Sequence, residues 1–433
     1  MAGRLVSALG AADRTAEAFS DRATLRHMLR FEAALAHAVA AAGLIRKKHA
    51  AVIEAACDET LYDAAPLGDA ARRTATLTVP VVKALTAEVK KRNADAAAYV
   101  HWGATSQDVI DTAMVLQLGE ALPPLLKDLK AIVAALAKLA KKHRATAMLG
   151  RTLLQPATPL ALGQKIAGWA SDIDRAMRRL EASFKETQIV QFGGASGSLS
   201  ALGKKAEPVM KALAQHLDLK LPPAPWFTQR VRVAALAQDA ALVVGALGKA
   251  ARDISLMMQI EVGEASEPSG PGRGGSSTMP HKRNPVGAAL ILSATNRAPM
   301  LAATIVAGMT QEHERALGGW QAEWPTLAAL IECLGSAVEA MAEVAPGLAI
   351  DEDAIQANMD ATEAAEFAER ATFLLAEQMG KEKAAGIVEK ALAKGGSFIE
   401  ALGQLEKELS DETALLGYSP KFVDRLLAEL RRR

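Results

Sequence analysis

The side chains of this sequence best suited to chemistry lie in one run, SGPGRGGSSTMPHKRNPV, from Ser269 to Val286. Gly270, Gly272, Gly274 and Gly275 give a backbone that can move and can adopt positive φ. Two adjacent hydroxyls follow, Ser276 and Ser277, then His281, Lys282, Arg283 and Asn284. Pro285 stands where a new helix can start. A mobile strip with a potential base, two fixed cations and an amide suits a lid that closes on an anion. The plain alternative is a solvated basic loop. A second polar group is HWGATSQD, His101–Asp108. Its Thr105, Ser106 and Gln107 are small donors in a turn, suited to gripping carboxylate oxygens. The alternative there is an ordinary helix cap made by Ser106 or Asp108. In ERALGGWQAEW, Arg315 precedes the flexible pair Gly318–Gly319, and Trp320 and Trp324 read as packing.

The elements that must position these groups read as helices. The chain has 433 residues, half of them apolar and only 4% aromatic, with alanine abundant, which favours close-packed helices over sheets. Residues 20–43 form a helix with Ser20 or Asp21 as cap and Gly43 as stop. Shorter helices follow at Lys48–Ala56 and Val79–Arg92. From Asp111 the apolar residues recur at helical spacing over 125–144 and 158–186. Leu236, Ala240, Val243, Leu247, Ala251, Ile254 and Met258 alternate steps of three and four, a stripe worth roughly 45 Å of helix at ~1.5 Å per residue. Segments 288–310, bent at Pro299, and 325–344 supply partners of matching length. The expectation is an all-α fold: an N-terminal helical domain over 1–104, a central bundle of long helices over 105–351 and a C-terminal helical domain over 352–433, capped by Asp351 or Asp353.

Composition narrows the function. A formal charge of +1 gives no bulk field for nucleic acid or an anionic membrane. No charge-free apolar run of 18 residues occurs, so no membrane span is expected. The first residues read as no signal peptide, and two cysteines, Cys57 and Cys333, suggest a reducing, cytoplasmic setting. Gly270–Gly275 fits GxGxxG in form only, since no strand leads into it, and the eight histidines show no metal-ligand spacing. No cofactor and no metal are expected.

GSSTMPHKRNP, from Gly275, resembles the mobile loop of the fumarase/aspartase superfamily, whose pattern is roughly GSSxMPxKxN. HWGATSQD resembles a second conserved stretch of that family, and GRTLLQPATPLALGQK, Gly150–Lys165, a third. The resemblance implies β-elimination that forms, or addition across, a double bond beside a carboxylate. It implies a homotetramer with each site built from three chains. It also implies Ser276 as the proton-transfer residue, six positions before Lys282, and Arg315 as a carboxylate ligand supplied to another subunit. Gln155 falls within the third stretch. Where fumarases and aspartases read GRTHLQ, with a histidine in the proton machinery or its charge support, this chain has Leu153. Amines and hydroxide leave better when protonated. A carboxylate does not need it, because its conjugate acid has a pKa of about 4. Lactone opening expels such a group. The resemblance therefore points to the 3-carboxy-cis,cis-muconate cycloisomerase branch, shared also by FSDRATLRHMLRFEAALAHA, QFGGASGSLSALG and QEHERALGGWQAEW. On that reading Ser276, Lys282 and Asn284 are catalytic. Thr105, Ser106, Gln107, His101, Gln155, His281, Arg283 and Arg315 bind a small tricarboxylate. QFGGASGSLSALG itself reads first as a tight connection between antiparallel helices. The rivals are an adenylosuccinate lyase-like C–N lyase and an inactive helical scaffold.

Overall fold

The computed structural model describes residues 10, 12–270, 274, 275, 279, 282–362, 367–394, 398, 402, 403 and 415–432. The chain is all-α in class. In order, the helices are α1 (Asp13–Ala18), α2 (Asp21–Ala41), α3 (Lys47–Glu54), α4 (Ala64–Thr74), α5 (Thr78–Arg92), α6 (Ala94–Ala97), α7 (Ser106–Lys142), α8 (Leu162–Thr187), α9 (Ala206–Leu217), α10 (Val231–Met257), α11 (Val286–Ala307), α12 (Gly319–Gly347), α13 (Glu352–Asp360), α14 (Ala368–Met379), α15 (Lys381–Ala393) and α16 (Ser419–Arg431). Two small antiparallel sheets join them, β1 (Ala147–Thr152) with β2 (Gln155–Ala161), and β3 (Ala265–Ser266) with β4 (Ala349–Ile350).

Local chemistry explains several boundaries. Ser20 Oγ accepts from Ala23 N at 3.1 Å and starts α2, while Gly43, at φ 75°, closes its exit. Asp351 Oδ1 accepts from Ala354 N at 2.9 Å and starts α13. The α10 stripe is buried from Leu236 through Ile254, as its spacing predicts. Two stretches depart from the sequence reading. α7 begins at Ser106 and runs through Pro123 and Pro124, so the helix expected over 125–144 is only its second half. The helix expected over 158–186 begins at Leu162, because Gln155–Ala161 pairs with Ala147–Thr152 as a hairpin.

The chain forms two compact units. Unit 1 holds Met1–Lys127, Ala176–Val244 and Ser293–Ala337; unit 2 holds Asp128–Arg175, Gly245–Leu292 and Val338–Arg433. The core of unit 1 gathers Leu25, Met28, Phe31, Leu35, Ile53, Leu85, Val109, Phe192, Leu213 and Trp320. In unit 2, Ala371, Leu375, Ala384 and Val388 pack α14 on α15. By length and composition α7, α10 and α11 could each cross a membrane, which counting charge-free runs does not register. The most apolar stretches of α7 and α10 are 78% and 56% buried within the protein, and that of α11 only 28%.

Candidate active site

Within unit 1, the polar groups of the HWGATSQD stretch gather around Asp108. Asp108 lies in the first turn of α7, and its Oδ2 accepts from Thr105 N at 2.9 Å, the side-chain half of a capping box. The same carboxylate accepts from Gly193 N at 2.8 Å, Gly194 N at 3.0 Å and Gln191 Nε2 at 3.2 Å. One helical turn on, Thr112 Oγ1 donates to Gln191 O and accepts from Gln191 N, both at 3.0 Å. The glycine/serine stretch is thus more than a connection: its backbone is stapled to the start of α7. Gly194, at φ 68°, could carry no Cβ without bringing it 3.0 Å from the Gly103 carbonyl oxygen. Burial pushes the Asp108 carboxyl up to about 7, against the pull of these N–H donors toward the ionised form.

Arg315 hangs from the same stretch. Its Nη2 donates to Ala195 O at 3.1 Å, and its guanidinium lies 5.3 Å from the centre of the Phe227 ring. It is half-buried, not a free surface arginine. Thr105 and Ser106 are half-buried at the same end of α7, so unit 1 links Thr105, Ser106 and Arg315 through Asp108 and residues 191–195. His101, at φ 60°, binds Glu32 Oε1 through Nδ1 at 2.6 Å. Burial opposes a charged His101, but the charge and hydrogen bond of Glu32 outweigh it and raise the imidazole above its ordinary value.

Gln107 sits deeper than Thr105 and Ser106. It has no exposed surface, and its Nε2 donates to Asp111 Oδ2 at 3.0 Å and to Phe227 O at 2.8 Å. Its Nε2 thus holds the scaffold, while its Oε1 is buried with no hydrogen-bond partner. The sequence reading also missed the cluster Gln107 joins. Arg230, buried, donates to Asp111 Oδ2 at 2.8 Å and Glu323 Oε2 at 2.6 Å. Asp111 accepts from Trp320 Nε1 at 2.9 Å, and Glu323 accepts from Gln311 Nε2 at 3.1 Å. This cluster ties α7 to the segment carrying Arg315. A buried arginine with no helical partner at i±4 leaves little trace in a single sequence.

Unit 2 carries the hairpin and the basic loop. Thr152 and Gln155 pair directly, so Leu153 and Leu154 form a two-residue tip, at φ 50° and 65°. Both are exposed, Leu153 at 96%, and Gln155 is exposed beside them. Lys282 and Arg283 are exposed and Asn284 half-buried. Asn284 N donates to Gly274 O at 3.0 Å, and Ala289 N to Pro285 O at 2.9 Å, so α11 starts where Pro285 indicated. Ser276, Ser277 and His281 lie outside the described residues. No group of three metal-ligating side chains occurs among the described residues.

Comparison with known proteins gives the family. A lyase family model matches residues 7–299. The chain is 48% identical to a 3-carboxy-cis,cis-muconate cycloisomerase of Bradyrhizobium diazoefficiens, over 96% of this chain and 95% of that one. It is 38% identical to a nitrosuccinate lyase of Streptomyces davaonensis, over 97% and 94%. The crystal structure of 3-carboxy-cis,cis-muconate lactonizing enzyme from Pseudomonas putida superposes with a TM-score of 0.93 at 42% identity, covering 99% of both chains. The chain belongs to this lyase family, the fumarase/aspartase superfamily of the sequence reading.

Proposed function

We propose that the chain interconverts 3-carboxy-cis,cis-muconate and its γ-lactone, in the protocatechuate branch of the β-ketoadipate pathway. Its similarity to cycloisomerases of that name supports the reaction. The observation that carries the choice is the 48% identity to a cycloisomerase over nearly the whole chain, and Leu153 adds an argument against leaving groups that need an acid. The hairpin tip offers two leucines, and neither can carry a proton. The group expelled must leave without an acid, as a carboxylate does.

In the lactonizing direction one carboxylate oxygen bonds to an alkene carbon. The π electron pair moves to the neighbouring carbon, beside a second carboxylate, and is held as an aci-carboxylate. That carbon takes a proton from Ser276. In reverse, Ser276 removes the proton as the C–O bond breaks and the carboxylate departs. Lys282 and backbone N–H groups of the glycine-rich run stabilise the serine alkoxide, and Lys282 with Asn284 stabilises the developing oxyanion. Arg283, through its planar fork, holds a further carboxylate with His281, Gln155, Thr105, Ser106, His101 and Arg315. The exposed Lys282 and Arg283, and the half-buried Arg315 beside Thr105 and Ser106, support these roles.

The reading includes a homotetramer with sites shared between three chains, in the cytoplasm. Only 28% of the most apolar stretch of α11 is fully buried, and Met300 is 67% exposed, which supports a partner at this helix. Cys57 and Cys333 are free thiols, which suits a reducing compartment. A second reading, a C–N lyase, is favoured by the similarity to nitrosuccinate lyase. A nitro group expelled as nitrite would likewise need no acid. Ser276→Ala tests the mechanism: it cuts lactonization by about 10³-fold with the assembly intact, on the scale of removing a catalytic proton-transfer group. An unchanged rate removes Ser276 from its role. Leu153→His brings no gain in lactonization, and a large gain would end the leaving-group argument.

A further inference from the structure

Two buried carboxylates stand three residues apart on the arm that leads into the basic loop. Glu264 has no exposed surface, and Glu267 is 7% exposed. Glu264 takes a bidentate pair of hydrogen bonds from Arg151, Nη1 to Oε2 at 2.9 Å and Nη2 to Oε1 at 2.6 Å. It also accepts from Asn358 Nδ2 at 2.9 Å. Arg151 belongs to β1, the strand that carries the hairpin tip. Glu267 binds the far side of the loop: Oε2 accepts from Gly287 N at 2.8 Å and Oε1 from Ala288 N at 2.7 Å. These are N–H groups of the first turn of α11, which lack helical partners. A Cβ on Gly287 would lie 2.4 Å from Val344 Cγ2 and 3.1 Å from Glu267 Oε2, so the approach is close. The arm thus joins Arg151, one residue before Thr152 at the hairpin turn, to the helix that begins two residues after Asn284.

We infer that Arg151, Glu264 and Glu267 are positioning residues that hold the hairpin bearing Gln155 in register with the segment bearing Lys282 and Asn284. The inference rests on the proposed reaction for its kinetic test. Misplacement by about 1 Å costs about 10²-fold in rate, so the effect falls on kcat more than on KM. Arg144 supplies the control. It makes the same bidentate contact, with Asp424, in the same unit but at the surface.

The experiment compares Arg151→Met, Arg151→Lys, Glu267→Gln and Arg144→Met, each assayed with 3-carboxy-cis,cis-muconate well below its melting temperature. Arg151→Met and Glu267→Gln lower kcat by about 10²-fold with KM changed less than about 3-fold. Arg151→Lys recovers part of the loss, because it restores the charge without the fork. Arg144→Met keeps full activity. Hydrogen exchange gives a readout that does not depend on the substrate: Arg151→Met speeds exchange at the Gly287 and Ala288 amides at least 10-fold, and Arg144→Met leaves it unchanged. Protection at 287–288 unaffected by Arg151→Met, or kcat within 2-fold of wild type in folded Arg151→Met and Arg151→Lys, overturns the inference. Failure of the wild type to turn over the muconate overturns the proposed reaction alone, and the exchange data still decide the register.

Discussion

Arg230→Met is the sharpest test of how unit 1 is held. Methionine keeps most of the stem but removes the charge that sits between Asp111 and Glu323, each only 1% exposed. The two carboxylates then face each other without a counter-charge. Breaking a buried pair by removing one partner costs about 3–5 kcal/mol. Trp320 Nε1 and Gln107 Nε2 still donate to Asp111, and Gln311 Nε2 to Glu323, which places the expected loss near ~3 kcal/mol, the lower end of that range. The loss depends on pH. In the wild type, burial already raises Glu323, while Arg230 pulls it down. Without Arg230 that pull is gone, and the folded-state pKa of Glu323 rises further above the ordinary carboxylate value of about 4. The folded state then binds more protons than the unfolded one, so stability falls as pH rises through the raised value. Below the ordinary value Glu323 is protonated in either state and its share of the penalty disappears. Urea unfolding followed by circular dichroism, at pH 5.5 and pH 8, reads this directly. The deficit against wild type is larger at pH 8. Equal deficits at both pH values, or no deficit, would refute the assignment of a charge-compensated cluster.

Three further outcomes follow from named contacts. Glu32→Gln removes the partner that raises His101. The contribution of that pair is fully present below the ordinary imidazole value near 6.5 and is lost as pH rises through the folded value, so the gap in urea midpoint between wild type and variant narrows from pH 6 to pH 9. Replacing Leu153-Leu154 by Asn-Gly relieves two positive-φ leucines, each costing about 1–2 kcal/mol, and raises the melting temperature while lowering turnover; a lower melting temperature would show that the leucines are packed in the assembly. Gly287→Ala drives a methyl into Val344 and Glu267 and lowers both melting temperature and kcat.

What the sequence disclosed, and what it hid, follows from the range of the forces involved. Helix starts at Ser20 and Asp351 were legible because a cap acts within three residues. The α10 stripe was legible because one buried face repeats along the helix. The β1–β2 hairpin was not. Its two-residue turn is Leu153-Leu154, without the Asn or Gly that normally marks positive φ, so the apolar run into Leu162 read as continuous helix. The helix expected over 125–144 started too late, because α7 runs on from Ser106 through Pro123 and Pro124. The contacts of Gln107 Nε2 with Asp111 and Phe227 O were hidden as well, because Phe227 lies 120 residues away. Arg230, Asp111 and Glu323 come from three distant stretches, and Glu267 reaches 20 residues forward to α11. Nothing local announces such pairs. The chemistry-bearing residues themselves were legible because their types are concentrated in short polar runs.

The most direct measurement is an ultraviolet assay of the purified protein with 3-carboxy-cis,cis-muconate, adenylosuccinate and nitrosuccinate supplied separately. Loss of the conjugated-diene absorbance with the muconate, and no turnover of adenylosuccinate, is the predicted result. Turnover of a nitrogen-bearing substrate with the diene left intact would contradict an unaided carboxylate departure as the reaction of this site.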